Sequence, residues 1–401
     1  MAVALRKIDL EFEQLPHEGS CKVDVRGKIK GGVVMRTCWM VLFLVGMSLA
    51  AGAGEQLKIL PPCGKGKTRF VAPTDLVWPE KPGEADVCLW KDDKFAATCV
   101  TIDDNCRPDH DWWIKLTDEL GFKVTWFVIT DNVVAKKNPG FSGTWSDWQR
   151  LADAGHSIQS HTTNHKSQKK GQPPLTDEEL HAMYRDSLAA INANVTNNFA
   201  CTIAYPCGEA HEEILAQYAI GARGVYGVPS AAGSINYRCT NKGSGEPAMT
   251  DMILEGTSER GPKWVRGKKE LKRGLNIILY HFVHAGKTEA DREKNAAGAE
   301  REMRELASHK DRLWIARFDD VMKYGQERDT ATVKSERKGD TLVVSVTDRM
   351  DDTLFDYPLT VKVRLPDAWK SVKGGRFITH DGKPYALVDI VPDRQPVVLR
   401  R

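Results

Sequence analysis

From Ala96 onward, short apolar runs alternate with amphipathic stretches, and this alternation is the strongest constraint on what the chain can fold into. The first run, Ala96 to Ile102, is mostly apolar over its whole length, as in a strand buried on both faces of a parallel sheet. It ends abruptly in Asp103 and Asp104. Acidic groups at the carboxyl end of such a strand lie where parallel α/β folds gather their chemistry, although a strand closed by an Asx turn reads the same way. The remainder of the chain has to separate these readings.

Trp113, Leu116 and Leu120 fall at helical spacing before a stop at Gly121, and a second strand is expected from Val124 to Ile129. Trp145, Trp148, Leu151 and Ala152 form the next helical stripe, closed by Gly155 and followed by a strand from His156 to Ser160. Thr176 and Glu179 stand in capping-box spacing at the head of a third helix that buries Leu180, Met183, Tyr184, Leu188 and Ile191. Further strands are expected at Thr202 to Tyr205, Gly224 to Val228, Leu275 to Tyr280 and Leu313 to Ala316, with a helix through Ile214 and Tyr218 ending at Gly221. About seven parallel strands in βα repeats predict a closed or nearly closed α/β barrel over residues 95–325. Past Tyr324, runs such as Leu342 to Val346 and Tyr385 to Ile390 alternate at period two, and Asp381-Gly382 signals a tight turn. Residues 326–401 therefore read as a small all-β domain docked on the barrel.

The amino-terminal third is less regular. Residues 54–94 are punctuated by Pro61, Pro62, Pro73, Pro79 and Pro82 and read as an extended arm. Before it, Met35 to Ala53 has a positive start, a short apolar core and a small-x-small exit, which is the anatomy of a signal peptide. The expectation is a signal peptide over 35–53, a secreted or periplasmic protein, and a mis-assigned extension at 1–34; an uncleaved signal anchor is the alternative. The cysteines beyond it form an odd set matching no zinc ribbon, and a Cys63–Cys88 bridge would clasp the arm. A formal net charge of +3 over 401 residues gives no polyelectrolyte character, so nucleic acid is not an expected partner. The basic run from Lys263 to Arg273 reads as a solvated helix.

The expected strand ends converge. Asp103 and Asp104 close the first strand, His161 to His165 the third, Tyr205-Pro206-Cys207-Gly208 the fourth and His281 the sixth, all at carboxyl ends. His161 and His165 are four apart, so one helical turn would put both imidazoles on one side, and a nearby carboxylate completes a three-ligand set with open positions, as in a catalytic metal site. Paired carboxylates also serve glycosidases, but adjacent strand residues point to opposite faces, and that reading leaves the histidines unexplained.

Over roughly Ala96 to Tyr324 the sequence resembles the polysaccharide deacetylase (NodB homology) family of carbohydrate esterases. The matching residues are Thr101-Ile102-Asp103-Asp104, Ser160-His161-Thr162 with His165, Pro206 with Gly208, and Leu279-Tyr280-His281. The resemblance implies a deformed (β/α) barrel that hydrolyses N- or O-acetyl groups of an acetylated polysaccharide. It also implies that Asp104, His161 and His165 hold a divalent metal, most often Zn2+ in the family, whose bound water is the nucleophile. By position, Asp103 would be the general base and His281 the general acid, with His284 as an alternate. Tyr205 and Cys207 would contact substrate, the Cys207 N–H as oxyanion donor. One departure stands out. The family places an arginine beside the base at the position of Ala204, so the expectation is that Arg223 or Arg238 reaches in instead, that the base is differently tuned, or that the protein is a catalytically weakened glycan binder.

Overall fold

The computed structural model describes residues 56–401 apart from 65–66, 68–77, 137, 169–172, 226, 242–245, 262 and 264–265. The expected signal peptide and the extension before it lie outside these residues. Ala85–Val87 forms β1 in the arm. The barrel strands follow as β2 (Ala96–Ile102), β3 (Thr125–Val128), β4 (Ser157–Ser160), β5 (Thr202–Ala204), β6 (Gly221–Arg223), β7 (Leu275–Tyr280) and β8 (Leu313–Ala316). Between and after them run α1 (His110–Leu120), α2 (Thr130–Val134), α3 (Pro139–Ser142), α4 (Trp145–Asp153), α5 (Asp177–Asn194), α6 (Glu212–Leu215), α7 (Glu246–Glu255), α8 (Glu289–Ser308) and α9 (Phe318–Thr330). The tail adds β9 (Thr332–Lys338), β10 (Thr341–Thr347), β11 (Leu359–Arg364), β12 (Arg376–His380), β13 (Lys383–Ile390) and β14 (Val397–Arg400). Among the described residues no helix is long and apolar enough to cross a membrane.

Local chemistry sets these boundaries. Gly121 ends α1 at φ 70, with its N–H on the Thr117 carbonyl, and α5 opens on the expected Thr176–Glu179 capping box. A second box, Thr144 with Asp147, starts α4.

The seven barrel strands form a parallel sheet in the order β6-β5-β4-β3-β2-β7, with β8 also on β2. One edge of β2 pairs with β7 from Ala97 to Ile102. Its other edge is shared, with β8 along Ala96–Cys99 and β3 at Thr101 and Ile102. The strand is buried on every residue, as its apolar composition requires. Between β6 and β7 the barrel stays open, and irregular chain fills the gap: Ser230 bridges Leu275, and Thr240 bridges Arg223. The result is the deformed barrel expected, with separate antiparallel sheets after it.

The sixth barrel strand differs from expectation. It is Gly221–Arg223, and the described residues of 224–228 are irregular. A Cβ at position 221 would come within 2.6 Å of Met322, so the glycine lets α9 close onto the strand. The Cys63–Cys88 bridge is also absent: both are free thiols, and the Cys88 carbonyl instead accepts the Tyr324 hydroxyl at 2.8 Å.

The tail forms two antiparallel sheets, β1-β11-β13-β12 and β14-β10-β9. The arm thus supplies β1 as an edge strand, pairing Ala85 with Val363. One apolar core continues from the barrel through Val321 and Met322 of α9 into Val344, Val361 and Val388 of the tail.

His156 lies 1% exposed just before β4, accepting the Val124 N–H at Nδ1 (3.3 Å). Burial is the main reason its imidazole is held down from 6.5 to about 3. The unfolded chain therefore binds a proton below about pH 6.5 that the folded chain refuses until about pH 3, so this contribution to stability is full above pH 6.5 and is lost as the pH falls through that window. His156→Phe should flatten that decline in urea unfolding measured at pH 7 and pH 5. It should also cost about 1–3 kcal/mol at pH 7 by leaving the Val124 N–H without an acceptor.

Candidate active site

The ladder between β2 and β7 runs one residue past the strand, with the Asp103 N–H on the Tyr280 carbonyl at 3.0 Å. The backbone then turns left-handed over three successive residues, Asp104, Asn105 and Cys106, at φ 64, 68 and 38. Side chains rarely adopt this conformation, and the buried Asn105 amide holds it in place. Its Oδ1 accepts the Ile129 N–H at 2.9 Å, and its Nδ2 donates to the Ser142 carbonyl at 3.0 Å. The turn breaks strand alternation, so Asp103 and Asp104 can serve one site.

His161 follows β4 with its N–H on the Val128 carbonyl. Its Nδ1 lies 2.9 Å from the Ala204 carbonyl, which can only accept, so the proton sits on Nδ1 and Nε2 is free to act as a ligand. The expected helical turn from His161 to His165 is not formed. Thr162 and His165 are both left-handed, at φ 67 and 56, and the Thr162 hydroxyl accepts the His165 N–H. This tight turn brings the two rings to 4.5 Å between centroids, nearly perpendicular. Nε2 of His161 and of His165 lie 3.6 and 3.8 Å from Asp104 Oδ1. Ligand atoms of these three residues all fall within 4.8 Å of one another. Two imidazoles and one carboxylate at this spacing could hold a metal ion with open positions left on it.

Beside it, Asp103 is 2% exposed, and its Oδ2 is ion-paired to Arg223 and 3.5 Å from His161 Nε2. Oδ1 is buried with no hydrogen-bond partner among the described residues. Burial pushes the Asp103 carboxyl up, but the charges of Arg223, His161 and His281 outweigh it and hold the group below the usual carboxylate range. Arg223 is register partner to Ala204, so the guanidinium comes from the next strand at the same level. It is fully buried, donates to the Gly224 carbonyl at 3.0 Å and lies over the Phe127 ring. Arg238, the other candidate, is paired to Glu213 at 2.8 Å.

The two later histidines part company. His281, 55% exposed, has Nε2 3.8 Å from Asp104 Oδ2. His284 Nδ1 lies 2.6 Å from Asp109, whose other oxygen accepts the Val283 N–H. Sequence reasoning missed Asp109, and its only signal was an acidic residue directly after Pro108 in the loop that follows the Asp pair. Tyr205 is a correction: it is fully buried with its hydroxyl on the Arg238 carbonyl, so its side chain cannot contact substrate. Cys207 is exposed on a left-handed turn at φ 54, its thiol 3.5 Å from the Ser167 hydroxyl. A Cβ on the neighbouring Gly208 would lie 2.4 Å from Val225, so the turn stays close to that loop.

With the geometry in place, likeness to known proteins can be weighed. Residues 91–222 match the sequence model of the family described as polysaccharide deacetylase. This span is a polysaccharide deacetylase domain. It contains Asp103, Asp104, His161, His165 and Cys207, while Arg223 lies one residue beyond it. A protein named gellan lyase from a Bacillus species is 39% identical over 372 residues, covering 86% of this chain but only 14% of that protein. Among solved structures, a family 4 carbohydrate esterase from Streptomyces lividans aligns at 16% identity and TM-score 0.34, over 55% of this chain and 92% of the other. A Streptococcus pyogenes deacetylase aligns at 21% and 0.32, over 36% and 62%. A family 4 pseudoenzyme from Bacillus anthracis aligns at 14% and 0.34, over 57% and 66%. TM-scores this low carry no detailed correspondence.

The Asp103–Arg223 pair makes its own prediction. Arg223→Gln strands a buried carboxylate and should cost about 3–5 kcal/mol in denaturant unfolding. Adding Asp103→Asn to that variant should recover part of the loss.

Proposed function

We propose that the deacetylase domain makes this chain a metal-dependent hydrolase that removes acetyl groups from a polysaccharide. The observation that carries the reading is the buried, unpartnered Oδ1 of Asp103 standing beside the Asp104, His161 and His165 donor set. Those three residues would hold a divalent cation, with zinc the best match to two imidazoles and a carboxylate. A cation there would polarise the acetyl carbonyl and acidify water.

The remaining chemistry belongs to side chains already placed. As water attacks the carbonyl carbon, Asp103 Oδ1 takes its proton, while Arg223 fixes Oδ2 and keeps the carboxylate ionised. The developing oxyanion has the Cys207 N–H as a candidate donor. Cleavage of the C–N or C–O bond then needs a proton on the leaving group, and His281, exposed with its Nε2 3.8 Å from Asp104 Oδ2, would give it. His284 is held by Asp109 and would act as a positioning group at the rim. The ion pair of Arg223 with Asp103, made from the strand beside Ala204, supports an active site over a weakened glycan binder. The leader-like stretch at 35–53 supports action outside the cytoplasm.

Acetate release should be measured on chitin oligomers, peptidoglycan, acetylated xylan and, given the gellan lyase relative, gellan. Activity should disappear with chelator and return with zinc; binding without acetate release from any of them would overturn the proposal. Asp103→Asn should lower kcat by about 10²–10⁴-fold. His281→Ala should lose far more activity than His284→Ala, and the reverse order would exchange their roles.

A further inference from the structure

On the face of the barrel opposite the Asp and His cluster lies a cleft that the acetyl chemistry leaves unused. It has two lobes, of about 510 and 230 Å³, with Arg317, Asp320 and Tyr357 in the wall they share. Phe199 lines the larger lobe, and Lys123 and Gly155 the smaller. These three residues stand just before β5, β3 and β4, at the amino ends of the strands. The larger lobe has the volume of a small-ligand site.

Three rings follow one another along the cleft: Phe199 in the larger lobe, Tyr357 in the shared wall and Trp314 in the smaller lobe. Tyr357 and Trp314 are 5.9 Å apart between centroids. Phe199 is 49% exposed, yet its loop is held firmly. The Asn198 side chain exchanges two hydrogen bonds of 2.9 Å with the Ile158 backbone, and the Phe199 carbonyl accepts from Gln159 Nε2 at 3.0 Å. An aromatic ring kept in water on an ordered loop is a preorganised stacking surface.

Most charges in the cleft are matched among themselves. Asp320 accepts from Arg317 at 2.8 and 2.7 Å, and Asp356 from Lys323 at 2.6 Å. Asp319 is different. It lines the larger lobe and is 8% exposed, and its Oδ1 is buried with no hydrogen-bond partner among the described residues. Burial, and after it the charge of Asp320, push its carboxyl up to about 6, against the pull of Arg317 and the Ser157 hydroxyl. A buried acceptor left in this state is costly until a donor reaches it. With both cations engaged and one acid left over, the lining disfavours an anion and suits an uncharged donor.

We propose that this cleft is a second glycan-binding site, in which a neutral sugar chain lays an apolar C–H face on Phe199 and donates a hydroxyl to Asp319 Oδ1. A sugar residue offers both surfaces at once, and the rings of the two lobes would hold neighbouring residues of one chain. Polymer bound at the amino ends of the strands leaves the carboxyl-end groups free and raises the local concentration of substrate around them. The binding assignment stands apart from the hydrolysis proposed above.

Affinity electrophoresis of the full chain tests this, in gels carrying hydroxyethyl cellulose or glycol chitin, both neutral, or carboxymethyl cellulose, which is acidic. At least one neutral polymer should retard the protein, and Phe199→Ala, a change at an exposed side chain, should weaken that retention about tenfold. Asp319→Ala should weaken it as well. Asp104→Asn should keep it, which separates the cleft from the barrel donors, and Phe199→Ala should leave acetate release from a soluble acetylated trimer unchanged. No retardation in either neutral gel, retention unchanged in Phe199→Ala, its loss in Asp104→Asn, or a Phe199-dependent retention that is stronger in carboxymethyl cellulose would overturn the assignment.

Discussion

The ion pair between Asp103 and Arg223 ties the fold to its site. Asp103 closes β2 and Arg223 closes β6, and three strands separate them in the sheet. In a flat sheet four inter-strand steps would hold them about 19 Å apart, far beyond the reach of the two side chains. Their contact therefore measures how strongly the sheet curls. The same contact stabilises that curl, because breaking it leaves both charges buried. β3, β4 and β5, caught between the two ends, are forced to aim their carboxyl termini at a common point, and His161 and the 205–208 turn arrive there as a result.

Precision at that point comes from unusual backbone. Asp104, Asn105, Cys106, Thr162, His165 and Cys207 all have positive φ without being glycine. Such residues persist only where neighbours over-determine them, and here the neighbours are identifiable. Asn105 bridges two backbone segments, Ser160 Oγ accepts the Thr162 N–H, and the Thr162 hydroxyl accepts that of His165. The histidine pair is oriented by a hydrogen-bonded turn, which can fix two rings almost at right angles, as a helical stripe would not.

Much of this was legible in the sequence, for reasons that also explain what was not. Long apolar runs such as Ala96 to Ile102 identify barrel strands because burial on both faces leaves no alternative composition. Gly221-Ala222-Arg223 carries no such signature; its strand character comes from the Ala204 register and the close approach of Met322, both tertiary facts. β9 is largely exposed and reads as polar chain. The motif residues were visible as types and spacings, but spacing four suggested a helix where a left-handed turn was built. Tyr205 looked like a cleft residue because it adjoins Pro206, and only packing shows its hydroxyl bonded inward. Arg223 could be named as a candidate because Ala204 posed the question, while choosing it over Arg238 required the Glu213 pairing to be seen.

The pairing of β1 with β11 carries a kinetic meaning. A strand in the arm completes a sheet whose other members come from the last part of the chain, so that sheet cannot close until nearly all of the polypeptide has been made. The barrel strands lie between these two partners in sequence, and β2 must itself wait for β7 and β8 before both of its edges are paired. Until β11 has been made, the arm remains an unpaired edge.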